Sequence, residues 1–334
     1  MNQNIFSYSR FALQYGLSEL NFKKEDAVLV PDFNCDAIYY PLRKMGLKLQ
    51  FYHLNDNFTA DWDSIQNLIT SSSKAIMMVH YFGQPQYINE FINFASENNL
   101  LLIEDNAHGH SGTYKGKLLG TFGDIGFSSP RKQLNIAFGG TLYIKGKKIS
   151  SPIEPFGRIH KLSLRMELFK SIPRFMHLRC LLKKYFLSKP KFSEPSLFFE
   201  FELENVSIDK YTIDRIKNTN WELVGQKRRE AWLQWTVFCE KRNITPIWSK
   251  PNPESCPWLM PAYVDNQELR IRILDAAWES GLGILSWPGL SDYVVEHFPD
   301  TERRWKKLIC FSLEKNPNDY MSEICFFDQK MDSN

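Results

Sequence analysis

The chain is expected to be an α/β protein built on a mostly parallel sheet, with a smaller α/β lobe toward the C-terminus. Three observations lead there. From residue 27 to 144 short apolar runs alternate with helical patterns, the rhythm of repeated strand–helix units. Several of those runs are apolar on successive residues, which suits strands covered on both faces by helices. At 334 residues the chain also exceeds one average domain, which leaves room for a second lobe.

The strands are expected at AVLVP (27–31), LQFYHL (49–54), AIMMVH (75–80), LLLIED (100–105), DIGFSS (124–129) and GTLYI (140–144). Between them, ADWDSIQNLI starts a helix behind the capping residue Asp61, and PQYINEFINFASENN carries Pro85 near its start and apolar residues at helical spacing. From about 151 to 200 the texture changes to a basic segment rich in leucine and phenylalanine and broken by Pro173. It reads as one or two amphipathic helices whose apolar face packs on the core; contact with a membrane surface or an anionic ligand is the alternative. Beyond Lys210 a helix containing WELVGQKRREAWLQW leads to MPAYVD (260–265), a helix over 267–280, and GLGILSWPGL (281–290). The division expected is a large domain over 1–215, including the basic segment, and a small domain over 216–334.

Charge is near balance, 41 Lys and Arg against 38 Asp and Glu, which argues against a dedicated nucleic-acid binder. The six cysteines, at 35, 180, 239, 256, 310 and 325, show no CxxC spacing, so neither a zinc site nor a disulfide framework is expected. The N-terminus lacks the pattern of a secretion signal and no apolar run is long enough to span a bilayer. A soluble, cytoplasmic protein is expected.

Two residues stand out chemically. Asp105 ends a buried strand, where the ligands of an open α/β sheet bind; a turn-capping role for its carboxylate stays equally open. Asp105, His108 and His110 could also be drawn as a metal cluster, but one short loop supplies no convergent geometry and no metal is expected. Lys132 follows the strand ending near Ser129 and precedes Gly139 and Gly140 by a short loop. A lysine kept partly neutral by burial and cationic neighbours forms Schiff bases with aldehydes. Pyridoxal phosphate (PLP) is the aldehyde cofactor used this way; its pyridine nitrogen wants a carboxylate, and its phosphate wants backbone N–H groups and hydroxyls.

Five stretches in order then carry a resemblance: YSRFALQYGL, EDAVLVPDFNCDAI, MMVHYFGQPQ, IEDNAHGHSGTYKGKLLGTFGDIG and PRKQLNIAFGG. Over residues 7 to 144, with weaker likeness in KRREAW and around Trp287, the chain resembles the DegT/StrS-type nucleotide-sugar aminotransferases of PLP fold type I. That resemblance implies an aspartate-aminotransferase-like large domain with PLP as cofactor. It makes Lys132 the Schiff-base lysine, Asp105 the partner of the pyridine nitrogen, and His108 the residue approaching the ring and its 3′ oxygen. Ser9 and Arg10 fall on the turn whose amides hold the phosphate, a position where Ser9 would also serve as a helix N-cap. Ser129 matches the hydroxyl before the lysine, with Ser128 the second choice. Where an aromatic often stacks on the ring this chain has Cys35, leaving Phe33 or Cys35 to pack there, and Phe138 replaces an acidic residue before the glycine pair. The implied reaction moves an amino group from an amino acid, glutamate by preference, to a keto-sugar linked to a nucleotide, in a homodimer with sites at the interface. Other PLP chemistry, such as a dehydratase or a non-sugar aminotransferase, is the alternative, as is a non-catalytic member acting as scaffold or regulator.

Overall fold

The computed structural model describes residues 4–134, 136–149, 161, 164, 189–195, 208–287 and 289–332. The expected helices of the basic segment 151–200 therefore lie, apart from 161, 164 and 189–195, outside the described residues.

A seven-stranded sheet forms from β1 (Asn4–Phe6), β2 (Ala27–Pro31), β3 (Lys48–Tyr52), β4 (Ser73–Val79), β5 (Leu101–Asn106), β8 (Ile125–Ser128) and β9 (Gly140–Ile144), ordered β1-β9-β8-β5-β4-β2-β3. A two-stranded hairpin of β6 (Thr113–Tyr114) and β7 (Lys117–Leu118) lies between β5 and β8 in sequence. The five strands from β3 to β8 pair in parallel, and β9 and β1 close one edge antiparallel. The apolar runs end up where their composition requires, since every residue of β2 is buried and helices α1 (Ser9–Glu19), α2 (Asp36–Lys44), α3 (Trp62–Gln66) and α4 (Ile88–Glu97) fill the connections. Asp61 caps α3 as expected, its carboxylate accepting from the N–H groups of Asp63 and Ser64. The first helix departs from expectation: Tyr8 is its N-cap and Ser9 its first helical residue, so Ser9 does not cap it.

The strand order reverses between β2 and β4, because β2 leads outward to β3 and β4 leads the other way to β5. Loops leaving the carboxyl ends on either side of such a point open a crevice. Here they are Asp32–Cys35 after β2 and the turn at Tyr81–Gly83 after β4.

After the short helix α5 (Arg131–Leu134), the described C-terminal part contains α6 (Lys210–Asn218), α7 (Trp221–Glu240), α8 (Gln267–Ser280), α9 (Asp292–His297), α10 (Pro299–Trp305) and α11 (Met321–Asp332). They accompany an antiparallel sheet of β10 (Thr245–Pro246), β11 (Leu259–Tyr263), β13 (Leu308–Ser312) and β12 (Ile284–Leu285), in that spatial order. Trp232 and Trp235 of α7 are fully buried in a second apolar cluster with Phe238, Phe311 and Leu274. Leu259, Trp287, Trp305 and Leu308 instead join the core under the large sheet, so the C-terminal part packs directly against the crevice.

Candidate active site

Asp105 is the penultimate residue of β5 and is buried, and its Oδ1 accepts the Ala107 N–H at 2.8 Å. Burial pushes its carboxyl above the usual range, opposed by that N–H, by Lys132, by His80 and by the Asn34 amide. One oxygen thus closes a turn, as the capping reading expects, while the charge of the group acts on Lys132. Its neighbour Glu104 points to the opposite face, as strand alternation demands.

Lys132 stands on α5, whose first turn is set by the Ser129 carbonyl accepting the Lys132 N–H at 3.0 Å. Burial pushes its amine down to about 8, against the pull of Asp105 and Cys35 and with the help of Arg131. A substantial neutral fraction therefore exists near neutral pH, which a solvated lysine lacks. His108 is buried, and burial followed by the Lys132 charge holds its imidazole well below the usual range. The Phe82 N–H donates to its Nδ1 at 3.2 Å, which makes the ring the neutral Nε2–H tautomer, a donor at Nε2. Gly83, at φ +86°, permits this contact, since a Cβ there would stand 2.6 Å from the His108 carbonyl oxygen.

The phosphate-side residues assemble through the glycine pair. A Cβ on Gly140 would lie 2.4 Å from the Ser9 nitrogen, so only glycine lets β9 lie against the start of α1. Gly139, at φ +141°, donates its N–H to the Ser7 carbonyl at 2.9 Å, and its own carbonyl accepts from the Ser129 hydroxyl at 3.4 Å. The guanidinium groups of Arg10 and Arg131 both lie on the Tyr8 ring, 4.8 and 5.1 Å from its centroid. Two cations, a serine and the N-terminus of an eleven-residue helix with no side-chain cap at Tyr8 thus meet at one point, an arrangement suited to an anion.

Two expected residues, Ser128 and Phe33, fall elsewhere, while a third, Cys35, lies on the lysine side. Ser128 is separated from this group by strand parity, its Oγ lying 2.6 Å from His110 Nδ1 and 2.5 Å from Thr141 Oγ1. Phe33 is core, packed edge-on to Phe58 and tilted on Trp287, with its carbonyl accepting from the Tyr81 hydroxyl. Cys35 is the N-cap residue of α2 and feels the Lys132 and Arg10 charges, which makes it, and not Phe33, the residue of the pair facing the lysine. His108 and His110 turn to different partners, and no group of three or more metal-ligating side chains converges among the described residues.

The residues that a PLP-sized group requires are therefore together. An amine of lowered affinity for protons faces a buried carboxylate, a neutral imidazole offers a donor, and the contact at Gly140 forms a cradle that a Cβ would fill. The set fits the cofactor.

Sequence reasoning missed what supports this group. Glu104 is fully buried, and its carboxylate accepts from His80 Nε2 and from the N–H groups of Gly120, Phe122 and Gly123 at 2.6 to 3.0 Å. The Gln86 N–H donates to His80 Nδ1, which fixes the ring with Nε2 toward Glu104. These bonds, His80 foremost, hold the Glu104 carboxyl below its usual range against the cost of burial. Glu104→Gln is expected to cost about 3 kcal/mol, because its amide nitrogen would meet N–H groups in place of an acceptor. Urea unfolding checks this. The wild-type advantage should be present above the unfolded carboxyl value near 4.5 and vanish as pH falls through the lower folded one.

Comparison with known proteins follows the same residues. Residues 9–160 match the model described as the DegT/DnrJ/EryC1/StrS aminotransferase family. Over that stretch, a little under half of its length, the chain is similar to this family. It is 35% identical over 109 residues to a GDP-4-keto-6-deoxy-D-mannose 3-dehydratase of Escherichia coli O55:H7, covering 32% of this chain and 28% of that one. It is also 35% identical over 115 residues to a GDP-perosamine synthase of Escherichia coli O157:H7, covering 34% and 32%. The matched stretch thus spans about a third of these curated relatives. The fold extends further: Helicobacter pylori PseC, an aminotransferase involved in the biosynthesis of pseudoaminic acid, superposes with a TM-score of 0.67 over 99% of this chain and 86% of that one at 16% identity.

Proposed function

We propose that the chain is a PLP-dependent aminotransferase that moves an amino group from an amino acid, glutamate by preference, to a keto-sugar carried on a nucleotide. The observation that carries the reading is Lys132, whose amine is pushed down to about 8 and faces the buried carboxylate of Asp105. Lys132 would hold the cofactor's carbonyl carbon, Asp105 its ring nitrogen and His108 its ring oxygen. The Ser9 and Arg10 amides and the Ser129 hydroxyl would hold its phosphate. When bound, the cofactor supplies an aldehyde for the amine and a ring that draws electron density from the bond broken at the donor's α carbon. Released as a free amine, Lys132 takes the proton from that carbon and returns one to the product side, a task for which a value near working pH is suited. Asp105 stays negative opposite the ring nitrogen, and His108, a neutral donor, adds no charge to compete with it.

The names of the relatives support a nucleotide-linked keto-sugar as acceptor, and the likeness to a 3-dehydratase supports elimination at the same site as the second reading. The two separate by experiment. The purified chain should be yellow, lose its visible band to borohydride, and change spectrum on addition of glutamate. Incubation with GDP-linked 4-keto-6-deoxy-sugars should give a product bearing a new amino group; loss of water without nitrogen uptake would favour elimination. Protein that stays colourless with added PLP sinks both. A dimer in solution, checked by light scattering, accompanies the reading.

A pH profile follows from the free-amine role. The rate of the donor half-reaction should climb as pH rises through about 8, where Lys132 loses its proton, and level off above it. Stopped-flow absorbance under single turnover checks this; a flat profile between about pH 7 and 9 would remove Lys132 as the base.

A further inference from the structure

Trp258 reaches into this site from the C-terminal part of the chain. The centroid of its indole lies 4.0 Å from Lys132 Nζ, and the ring lies 5.0 Å from the His108 imidazole at an interplanar angle of 36°. Trp287 stands edge-on beside it at 6.3 Å. The loop that carries Trp258 is fixed at several points. The Trp258 N–H donates to the Phe82 carbonyl at 3.1 Å. Arg228 of α7, buried, donates through Nη1 to the carbonyls of Pro257 and Trp258, and through Nη2 to the carbonyl of Gln133 at 2.8 Å. Gln133 follows Lys132 directly, and its side-chain amide donates to the carbonyls of His108 and Cys256. One guanidinium therefore ties the lysine-bearing turn to the tryptophan-bearing loop.

We propose that Trp258 is a positioning residue for Lys132: its indole face holds the amine in its cationic form and fixes its direction, while Arg228 sets the spacing between the two. The proposal rests on Lys132 being the reactive amine of the site. An aromatic face within this distance attracts a cation through its quadrupole, most strongly where water is excluded. The other groups facing the amine are Asp105 from β5, Cys35 from the start of α2, His108 from the loop after β5 and Arg131 from its own helix. Asp105 and Cys35 favour the charged form, as the indole does, while burial and Arg131 oppose it.

The test reads the free amine and requires no bound cofactor. Full-length protein is cleared of carbonyl compounds with hydroxylamine and treated with methyl acetimidate, which attacks neutral amines. Modification at residue 132 is followed by mass spectrometry from about pH 6 to about pH 10. Trp258→Leu should lower the midpoint by on the order of one pH unit, so that Lys132 reacts roughly tenfold faster at neutral pH than in wild type. Trp258→Phe, which keeps an aromatic face, should recover at least half of the shift. Fluorinated tryptophans placed at 258 keep the size of the ring and weaken its face, and should lower the midpoint step by step with fluorine number. A midpoint that is unmoved or raised in Trp258→Leu, or fluorinated variants that titrate like wild type, would overturn the proposal and leave the aminotransferase reading standing. A chain that takes up no PLP would remove that reading and leave this titration legible.

Discussion

Lys132→Ala should give a folded protein that binds PLP only noncovalently, so that borohydride fixes no cofactor to the chain, and that has lost at least about 10⁴-fold in rate, because on the proposed reading tether and base disappear together. Stability should not fall with it. Burial lowers the proton affinity of this amine in the folded state, so folding works against the ammonium at neutral pH. The sign follows from linkage: between about 8 and the unfolded value of 10.5 the unfolded chain binds more protons than the folded one, and wild-type stability rises with pH across that window. The alanine variant lacks that rise. Thermal denaturation at about pH 7 and about pH 10 for both proteins checks it, and a variant that unfolds well below wild type at the lower pH would show that Lys132 serves structure first.

The N-terminal half of this architecture was legible because each strand obeys one rule over a short window. The runs at 27–31 and 140–144 coincide with β2 and β9, and the others differ from their strands by a residue or two. Elements without a local signature were not legible. Helix α2 contains Pro41, which reads as a break; β1 is three residues long, and only its pairing with β9 makes it a strand. In the site, Asp105 is singled out by its strand end and Lys132 by the loop before the glycine pair, whereas His108 enters as a cofactor residue only through the resemblance. Ser128 against Ser129 is a question of pleat parity and needed the register of β8 with β9. Trp258 and Arg228 are separated from Lys132 by more than ninety residues of sequence, and nothing in their neighbourhoods announces that a folded crevice brings them back. The same holds for Glu104, which looks like half of an acidic pair with Asp105 until alternation sends it to the other face and to its four donors.

That opposition of two adjacent carboxylates makes Asp105→Asn the second large effect. Asparagine keeps an acceptor for the Ala107 N–H and removes the charge. The rate should fall about 10²- to 10³-fold, the scale of losing one preorganised electrostatic partner of the reacting centre, because on the proposed reading Asp105 is the negative group that would keep the ring nitrogen protonated. Two further changes distinguish this from a loss of fold. The Asp105 carboxyl is pushed up by burial, so the folded state disfavours its charged form at neutral pH. The cofactor-free Asn variant should therefore be at least as stable as wild type above the folded carboxyl value, the wild-type disadvantage shrinking only as pH falls toward 3.8. Asp105 is also the strongest of the charges holding the Lys132 ammonium, so its removal should move the Lys132 midpoint below about 8 and carry the rising limb of the rate profile with it. A variant that is slow, stable and shifted toward acid places Asp105 in the chemistry; one that is slow and unstable with an unshifted midpoint would place it in the scaffold, and Glu104 would then be the model for both residues.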